Sequence, residues 1–341
     1  MRRHHGQGRP AHPGRGRGRP RIQPDVEAAA ATIAGRLLRT PLLSSETLGR
    51  AFGGTAFLKA ELLQKTGSFK PRGVLTKLAS LSGEERRRGV VAASAGNHAA
   101  ALAYGSALEG IDCLVVMWQG ASEAKRAAAV GYGASVDQEA SGPGEVFERL
   151  AALQEETGRV LVHPFDDPLV VAGQGTVGRE LADDLPGVEV VVVPVGGGGL
   201  VSGIAAALPG RRIVAVEPEG SAALHEGLVS GRSVRVDPRS VADGLNAPFA
   251  GELPLRICRE HGVESVLVTE EEIGEGFRFL YARAKLAAEP AGAAGVAALL
   301  AGKVPDVEGA TVAVVVSGGN VAGETASGIL KPSPPEAENE S

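Results

Sequence analysis

Residues 188–200 read VEVVVVPVGGGGL, and they are the most informative segment for predicting the fold. The four consecutive valines from Val190 to Val193 are apolar on both faces of an extended chain, so they predict a central strand covered by helices on two sides. The glycines at 196–199 follow this strand, and the apolar stretch from Leu200 predicts a helix. A strand, a glycine turn and a helix in this order are typical of a parallel α/β sheet.

The rest of the chain, from about Ile22, alternates short β-branched runs with alanine-rich stretches of helical periodicity. The β-branched runs predict strands at 90–93, 111–117, 188–195, 213–216 and 311–316. The helical stretches predict helices at 71–81, 97–108, 122–131, 145–156, 175–185, 200–208 and 273–286. Thr269 and Glu272 have the spacing of a capping box before the last of these helices. The predicted fold class is α/β, with open, mostly parallel, twisted sheets and helices on both faces.

The 341 residues are 43% hydrophobic, enough to bury the core of one large domain or two smaller ones. We predict two domains: a small one over 84–163, and a large one formed by 24–83 together with 164–330. The flanking segments, a basic one at 1–23 and one rich in Pro, Ser and Glu at 331–341, have almost nothing apolar to bury. Both are therefore predicted to be disordered.

The formal net charge of -5 gives no overall attraction to nucleic acid or to an acidic membrane, so the expected partner is a small molecule. We find neither the apolar core of a secretory signal nor a run of about 20 apolar residues that could span a membrane. Cys113 and Cys258 are far apart and match no zinc or disulfide spacing. We expect a cytoplasmic protein, and a nucleic-acid role for the basic arm is the alternative.

The stretch 64–73, QKTGSFKPRG, places a lysine directly before a predicted helix. Pro71 suits the first turn of a helix, where its missing N–H costs nothing, so Lys70 lies at the positive end of the helix dipole. A cation is disfavoured there, and an amine whose protonated form is destabilised is more nucleophilic at neutral pH. Lys70 is therefore a candidate for condensation with a carbonyl group. An ordinary solvent-exposed lysine is the alternative interpretation.

Residues 94–98, SAGNH, follow the predicted strand 90–93 and open an alanine-rich helix. A turn of small residues at a helix N-terminus offers free backbone N–H groups, which favour a carboxylate even without an arginine. The alternatives are a simple N-cap for this turn and a packed role for His98.

Two further turns follow predicted strands. The glycines 196–199 let the backbone fold around an oxyanion, and the helix dipole adds attraction for a phosphate. Their spacing matches neither the dinucleotide fingerprint nor the P-loop. Residues 317–320, SGGN, close the strand 311–316, and ligands bind at the carboxyl ends of strands in open α/β sheets. Ser317 is therefore a candidate hydrogen-bonding residue, and a turn-forming role is the alternative.

Together, and in this order, these motifs resemble those of the fold-type II pyridoxal-phosphate enzymes, specifically the serine/threonine dehydratases and the related serine racemases. The resemblance runs from about Leu42 to Val321 and includes the segment 173–176, GQGT. It implies a tryptophan synthase β-like fold, pyridoxal 5'-phosphate as cofactor, and β-elimination of water from L-threonine or L-serine to a 2-oxo acid and ammonia. Homo-oligomers are usual in the family, so one is expected here. No regulatory domain is expected after Leu330.

The resemblance also implies the site. Lys70 would be the catalytic residue that holds the cofactor as a Schiff base. The implied cofactor-binding residues are Phe69, Lys70, Asn97, Gly196, Gly197, Gly198, Gly199 and Ser317. The substrate carboxylate would bind at Ser94, Ala95, Gly96 and Asn97. Ser317 would face the pyridine nitrogen, and because a neutral serine does not keep that nitrogen protonated, elimination is favoured over transamination.

The sequence departs from the family pattern at two places. Related racemases have a serine acid/base where this chain has Ala95, so racemisation is expected to be weak or absent. An acidic pair binds a metal in some relatives, and here Glu217 matches but Ala223 stands where an aspartate is expected. The need for a mono- or divalent cation is therefore left open.

Four alternative functions remain. The chain could dehydrate 3-hydroxyaspartate or another hydroxy-amino acid, because one polar group in a pocket decides such choices. It could instead be a serine racemase, a β-replacement synthase, or a homologue that binds cofactor without catalysis.

Overall fold

The structure, a computed structural model, describes residues 24–331 except 122 and 143. The segment 1–23 and residues 332–341, predicted to be disordered, lie outside the described residues. The described residues form ten strands: β1 Leu42–Ser44, β2 Thr55–Lys59, β3 Val90–Ala93, β4 Cys113–Trp118, β5 Ser135–Ala140, β6 Val160–Leu161, β7 Val190–Pro194, β8 Arg212–Pro218, β9 Glu264–Val268 and β10 Thr311–Val315.

Helices surround these strands. Within the described residues they are α1 Val26–Ile33, α2 Glu46–Phe52, α3 Pro71–Ala79, α4 Gly83–Arg88, α5 Asn97–Glu109, α6 Glu123–Gly131, α7 Val146–Thr157, α8 Pro168–Asp184, α9 Gly199–Ala207, α10 Ala223–Ser230, α11 Glu252–Glu260, α12 Glu270–Phe279, α13 Pro290–Leu300 and α14 Gly323–Leu330. None of these helices is both long enough and apolar enough to cross a membrane.

The strands form two sheets. The larger has six strands in the order β1-β2-β10-β7-β8-β9, and the smaller has four in the order β5-β4-β3-β6. Among the strands that the structure describes, only β1 and β2 pair in antiparallel fashion. The predicted fold class is therefore confirmed. All four strands of the smaller sheet fall within 84–163, although the boundaries of the two domains stay a prediction.

The valine-rich strand is central, as predicted. Strand β7 lies between β10 and β8, and all five of its residues are buried. All five predicted strands are present, with ends that differ by at most two residues. The strands that the sequence did not reveal are β1, β2, β5, β6 and β9. Four of these are at sheet edges, where an apolar run on both faces is not required.

The predicted helices are also present, and two differ in extent. The helix predicted at 175–185 begins at Pro168 and is capped by Asp167. The glycines at 173 and 175 are unfavourable in a helix, so the sequence did not indicate the first half of α8. In the structure, a Cβ at Gly173 would lie 2.5 Å from the Cα of Gly73 on α3. The glycine therefore allows α8 to approach α3 closely. The helix predicted at 273–286 has the expected capping box but ends at Phe279, where a π-helical turn follows.

A buried cluster of charges joins β2, α3 and α8. All five N–H groups of the Arg72 guanidinium are used: two bonds of 2.8 Å to Glu61, bonds of 2.7 and 3.0 Å to Glu180, and one of 3.1 Å to Thr176. The Lys59 ammonium donates to Glu180 at 2.6 Å. Two cations thus balance two carboxylates, and the start of α3 is held against its neighbours.

We predict that Arg72→Met lowers the free energy of unfolding by about 3–5 kcal/mol, because it leaves Glu61 and Glu180 with one cation for two buried carboxylates. Urea unfolding followed by circular dichroism measures this change. The control is Arg50→Met, since Arg50 is 70% exposed and pairs with the exposed Glu46. A loss below about 0.5 kcal/mol is expected there. Equal losses for the two variants would contradict the prediction.

Candidate active site

Lys70 lies immediately before α3, whose first residue is Pro71, as the sequence predicts. Its side chain is half-buried, its Nζ donates to the carbonyl oxygen of Pro164 at 3.0 Å, and it lies 5.1 Å from the ring centroid of Phe69. Burial lowers the pKa of Lys70 to about 8, and the charge of Glu289 opposes this shift. About a tenth of the amine is therefore neutral, and so nucleophilic, at pH 7, far more than for an ordinary lysine.

The segment that carries Lys70 pairs with the turn after β10. The N–H of Phe69 donates to the carbonyl oxygen of Ser317 at 3.1 Å, and the N–H of Gly319 donates to Gly67 at 2.9 Å. Because β10 ends at the carboxyl edge of the larger sheet, this pairing brings Lys70 to that edge beside Ser317.

The glycine turn 196–199 lies at the same edge, between β7 and α9. A Cβ at Gly197 would lie 2.3 Å from the ring of Phe165, and a Cβ at Gly199 would lie 3.0 Å from the Cα of Phe165. Gly198 has a φ of +90°, in the region that favours glycine. Phe165 follows Pro164, the acceptor of the Lys70 amine. Lys70 and the glycine turn therefore contact adjacent residues of one short segment, Lys70 at Pro164 and the glycine turn at Phe165.

Asn97 is held in one orientation by two hydrogen bonds. Its Nδ2 donates to Oε1 of Glu289 at 2.7 Å, and its Oδ1 accepts from Nδ2 of Asn320 at 2.7 Å. Asn320 also donates to the carbonyl oxygen of Thr66 at 2.7 Å. The helix α5 that begins at Asn97 is thus linked to the turn 317–320 and to the segment before Lys70.

Glu289 is a part of this site that the sequence analysis missed. Glu289 precedes Pro290 at the start of α13, just as Lys70 precedes Pro71 at the start of α3. A charged residue directly before a helix-starting proline was therefore a signal in the sequence that could have pointed to Glu289. The residue is 3% exposed, and a Cβ at Gly318 would lie 2.2 Å from its Oε1. Burial raises the pKa of Glu289 to about 7, and the hydrogen bond from Asn97 opposes this shift.

The turn 94–98 leaves the start of α5 open. The N-cap residue of α5 is Gly96, which has no side chain that could cap the helix. The Oγ of Ser94 does not cap it either, because it accepts a hydrogen bond from the N–H of Gly96 at 3.2 Å. The side chain of Ala95 packs against the apolar core of the smaller sheet. The first N–H groups of α5 therefore face no side-chain cap, which suits an anion.

His98 is a packed residue, in agreement with the alternative interpretation of the sequence. It is 3% exposed, and its Nε2 lies 2.8 Å from the carbonyl oxygen of Val162. Burial, with a smaller effect of Lys70, lowers the pKa of His98 to about 3, so the ring is neutral at neutral pH.

These residues fit a phosphorylated, polar cofactor. Ser68 Oγ and His98 Nδ1 are buried and have no hydrogen-bond partner within the described residues. Buried polar atoms without partners are costly, so such atoms beside Lys70 indicate room for a polar group that pairs with them. The glycine turn offers backbone N–H groups at a helix start, and Lys70 offers a partly neutral amine.

A divalent cation does not fit the position of the family's acidic pair. Within the described residues no group of three His, Cys, Asp or Glu side chains is arranged to hold a metal ion. Both carboxyl oxygens of Glu217 already accept backbone N–H groups, from Leu224 at 2.8 Å and His225 at 2.7 Å. The methyl side chain of Ala223 offers no ligand atom.

Comparison with known proteins shows the family of the chain. The profile of the family described as pyridoxal-phosphate dependent enzyme matches residues 33–318. The chain is 46% identical over 302 residues to the L-threonine ammonia-lyase of Thermotoga maritima, a match that covers 87% of this chain and 75% of that protein. It is 41% identical over 316 residues to the catabolic L-threonine dehydratase TdcB of Staphylococcus aureus, covering 90% and 91% of the two chains.

Solved structures give the same result. A threonine deaminase from T.th. has a TM-score of 0.80 at 41% identity, and the match covers 87% of this chain and 98% of that one. Maize serine racemase has a TM-score of 0.85 at 34% identity, with 88% and 94% covered. The chain therefore belongs to the family of pyridoxal-phosphate dependent enzymes. Its cofactor is pyridoxal 5'-phosphate, as predicted.

We predict that the Glu289→Gln variant gains stability relative to the wild type as pH rises from about 5 to about 7. The pKa of Glu289 is about 7 in the folded protein against an ordinary 4.5, so the folded state holds the proton more tightly in this range. Ionisation of Glu289 then lowers the free energy of unfolding of the wild type by up to about 3 kcal/mol relative to the variant. The glutamine of the variant does not ionise and retains an oxygen acceptor for Asn97.

Urea unfolding at about pH 5 and about pH 7.5 measures this difference. The control is Glu324→Gln, because Glu324 is exposed on α14, and a change below about 0.5 kcal/mol is expected at both pH values. A Glu289→Gln variant with the same pH dependence as the wild type would contradict the prediction.

Proposed function

We propose that the chain removes the elements of water from L-threonine, and from L-serine as a smaller homologue, and releases a 2-oxo acid and ammonia. The relatives named L-threonine ammonia-lyase, L-threonine dehydratase and threonine deaminase support this substrate class. One observation carries the proposal. The Lys70 amine, whose pKa is about 8, donates a hydrogen bond to Pro164, and the neighbouring residue Phe165 packs on the glycine turn.

The reaction balances without an external oxidant or reductant. The substrate loses a proton from Cα and hydroxide from Cβ, which leave together as water. The resulting enamine tautomerises and is hydrolysed, so that one water enters and ammonia departs. When bound to the substrate amine, pyridoxal phosphate supplies the electron withdrawal that makes the Cα–H bond acidic.

Lys70 is the proposed acid/base residue. Its Nζ takes the proton from Cα, for which it must be neutral, and the lowered pKa of the amine provides the neutral form near neutral pH. The carbonyl oxygen of Pro164, 3.0 Å from Nζ, holds the amine on the side of the glycine turn. The proton removed from Cα and the hydroxide lost from Cβ together make one water, so the elimination takes up no net proton.

The substrate carboxylate is proposed to bind at residues 94–97, where the first N–H groups of α5 have no side-chain cap. The positive end of the helix dipole favours an anion there. This placement is supported by the hydrogen bond between Asn97 and Glu289, which fixes the first residue of α5 relative to the start of α13.

The cofactor is proposed to bind at the carboxyl edge of the larger sheet, next to Lys70. The glycines 196–199 would bind its phosphate, and Asn97 would donate to its phenolic oxygen through the second N–H of Nδ2. Phe69 would pack beside the ring, and Ser317 would face the pyridine nitrogen. The pairing of Phe69 with Ser317 supports the last two assignments, since it places both residues next to Lys70.

We also propose the two-domain division at 84–163, a homo-oligomeric state and a cytoplasmic location. The smaller sheet within 84–163 supports the first of these. Large exposed apolar side chains, among them Leu63 at 47% and Tyr281 at 55%, support an interface with a second copy. The net charge of -5 supports a small-molecule partner rather than nucleic acid.

We predict that Lys70→Ala abolishes ammonia release from L-threonine, with a loss of at least about a thousandfold, because Lys70 is the amine assigned to the Cα proton. The wild-type holoenzyme is expected to be yellow and to form 2-oxo acid and ammonia in equal amounts. The matched control is Lys65→Ala, whose lysine lies on the exposed side of the same segment and whose loss should leave turnover unchanged.

The same assay separates the remaining alternatives. A panel of L-threonine, L-serine and 3-hydroxyaspartate, scored for 2-oxo acid, identifies the preferred substrate, and sulfide incorporation detects β-replacement. Full turnover in Lys70→Ala would refute the catalytic assignment. A yellow wild type that releases no ammonia from any of these substrates would indicate a homologue without this activity.

Racemisation of L-serine is expected to be at least about a hundredfold slower than ammonia release, because Ala95 cannot donate a proton to the opposite face of Cα. The serine racemases among the structural neighbours make this the nearest alternative activity. Chiral chromatography of the reaction measures D-serine. In Ala95→Ser, D-serine formation should increase. Formation of D-serine by the wild type as fast as ammonia would contradict this expectation.

A further inference from the structure

Glu217 is a buried acidic residue without a cationic partner. It lies on β8 with 0% exposure, and no ion pair joins it to any Lys, Arg or His side chain among the described residues. Its two oxygens accept the N–H groups of Leu224 and His225, at 2.8 and 2.7 Å. These are the second and third residues of α10, so the free N–H groups at the start of this helix are used by Glu217. Burial raises the pKa of Glu217 to about 8, and the hydrogen bonds from the N–H groups of Leu224 and His225 and from the side chain of Ser265 oppose this shift.

The residue that precedes these donors is Ala223, which is 1% exposed. Its Cα is at most about 5 Å from Oε1 of Glu217, because one peptide unit separates it from the N–H of Leu224. An acidic side chain at this position would place two carboxyl groups side by side in an apolar environment. Two such groups need either a shared proton or a cation between them, whereas one carboxyl group is satisfied by hydrogen-bond donors and the helix dipole.

We propose that the start of α10 takes the place of a divalent cation in this chain, and that Ala223 is the residue that makes the ion unnecessary. The two N–H groups satisfy Glu217 in the way that a bound ion would satisfy an acidic pair. The holoenzyme therefore folds and keeps its cofactor without a divalent cation.

This arrangement matters to the cofactor site because the loop after Glu217 contacts the glycine turn through Leu245. The hydroxyl of Ser221 donates to the carbonyl oxygen of Leu245 at 3.0 Å, and a Cβ at Gly196 would lie 3.1 Å from that same oxygen. The loop between β8 and α10 therefore supports the turn proposed to bind the cofactor phosphate, and the hydrogen bonds to Glu217 hold this loop in place.

The test compares the thermal unfolding midpoint, Tm, of the holoenzyme after removal of metal with EDTA and after addition of millimolar MgCl2 or CaCl2, with KCl held constant. The metal content of the purified protein is measured alongside. The wild type is expected to contain no stoichiometric divalent ion and to change its Tm by less than about 1 °C. A bound ion in large excess over its Kd would instead raise the Tm by several degrees.

The variant Ala223→Asp tests the role of this residue directly. Without divalent ion its Tm should fall by about 5 °C or more, and Mg²⁺ or Ca²⁺ should restore most of the loss. The control is Gly323→Asp, which adds the same side chain at the first residue of α14, where a Cβ meets nothing within 4 Å. Its Tm should not respond to divalent ions.

Two outcomes would overturn the proposal. One is a wild type that retains about one divalent ion per chain or gains several degrees of Tm on addition of the ion. The other is a folded Ala223→Asp variant whose Tm does not change when Mg²⁺ or Ca²⁺ is added. None of these measurements uses a substrate, so they stand apart from the test of the dehydratase reaction.

A second variant keeps the test decisive if Ala223→Asp does not fold. Glu217→Gln replaces one acceptor oxygen by an NH2 group, which opposes the N–H of α10 and lowers the Tm. The proposal requires the same Tm difference from wild type with and without divalent ion. A difference that grows when the ion is added would mean that the wild type binds it, and would overturn the proposal.

Discussion

The short pairing between residues 67–69 and 317–319 is the constraint on which the site depends. Two main-chain hydrogen bonds, from Phe69 to Ser317 and from Gly319 to Gly67, hold the start of α3 against the end of β10. Because the pairing uses backbone groups, it fixes the backbone of Lys70 at the carboxyl edge of the sheet without engaging its side chain.

The chain stabilises the acidic groups next to α3 and α5 in two different ways. Glu61 and Glu180 are paired with Arg72 and, for Glu180, also Lys59. Glu289 accepts a hydrogen bond from Asn97, and burial raises its pKa toward neutrality. The ion pairs of Arg72 hold α3 in place through charge. The hydrogen bond between Asn97 and Glu289 instead links α5 to α13 through a carboxyl group that gains or loses a proton near neutral pH.

Glycines make the close contacts possible. A Cβ at Gly197 would overlap the ring of Phe165, and one at Gly318 would overlap the carboxyl of Glu289. Neither glycine has a positive φ, so they are needed at these positions for space rather than for backbone conformation. The chain thus places an aromatic and an acidic side chain directly on two of its glycine turns.

Local patterns of apolar, glycine or proline residues were enough to predict the central strands, the glycine turn and the place of Lys70 before a helix. It did not reveal the edge strands, whose burial on one face depends on neighbours far along the chain. Only the tertiary structure decided that Glu289 contacts Asn97, 192 positions away, and that Phe165 covers the glycine turn. Contacts of this kind follow from the order of strands in the sheet, and no local pattern encodes that order.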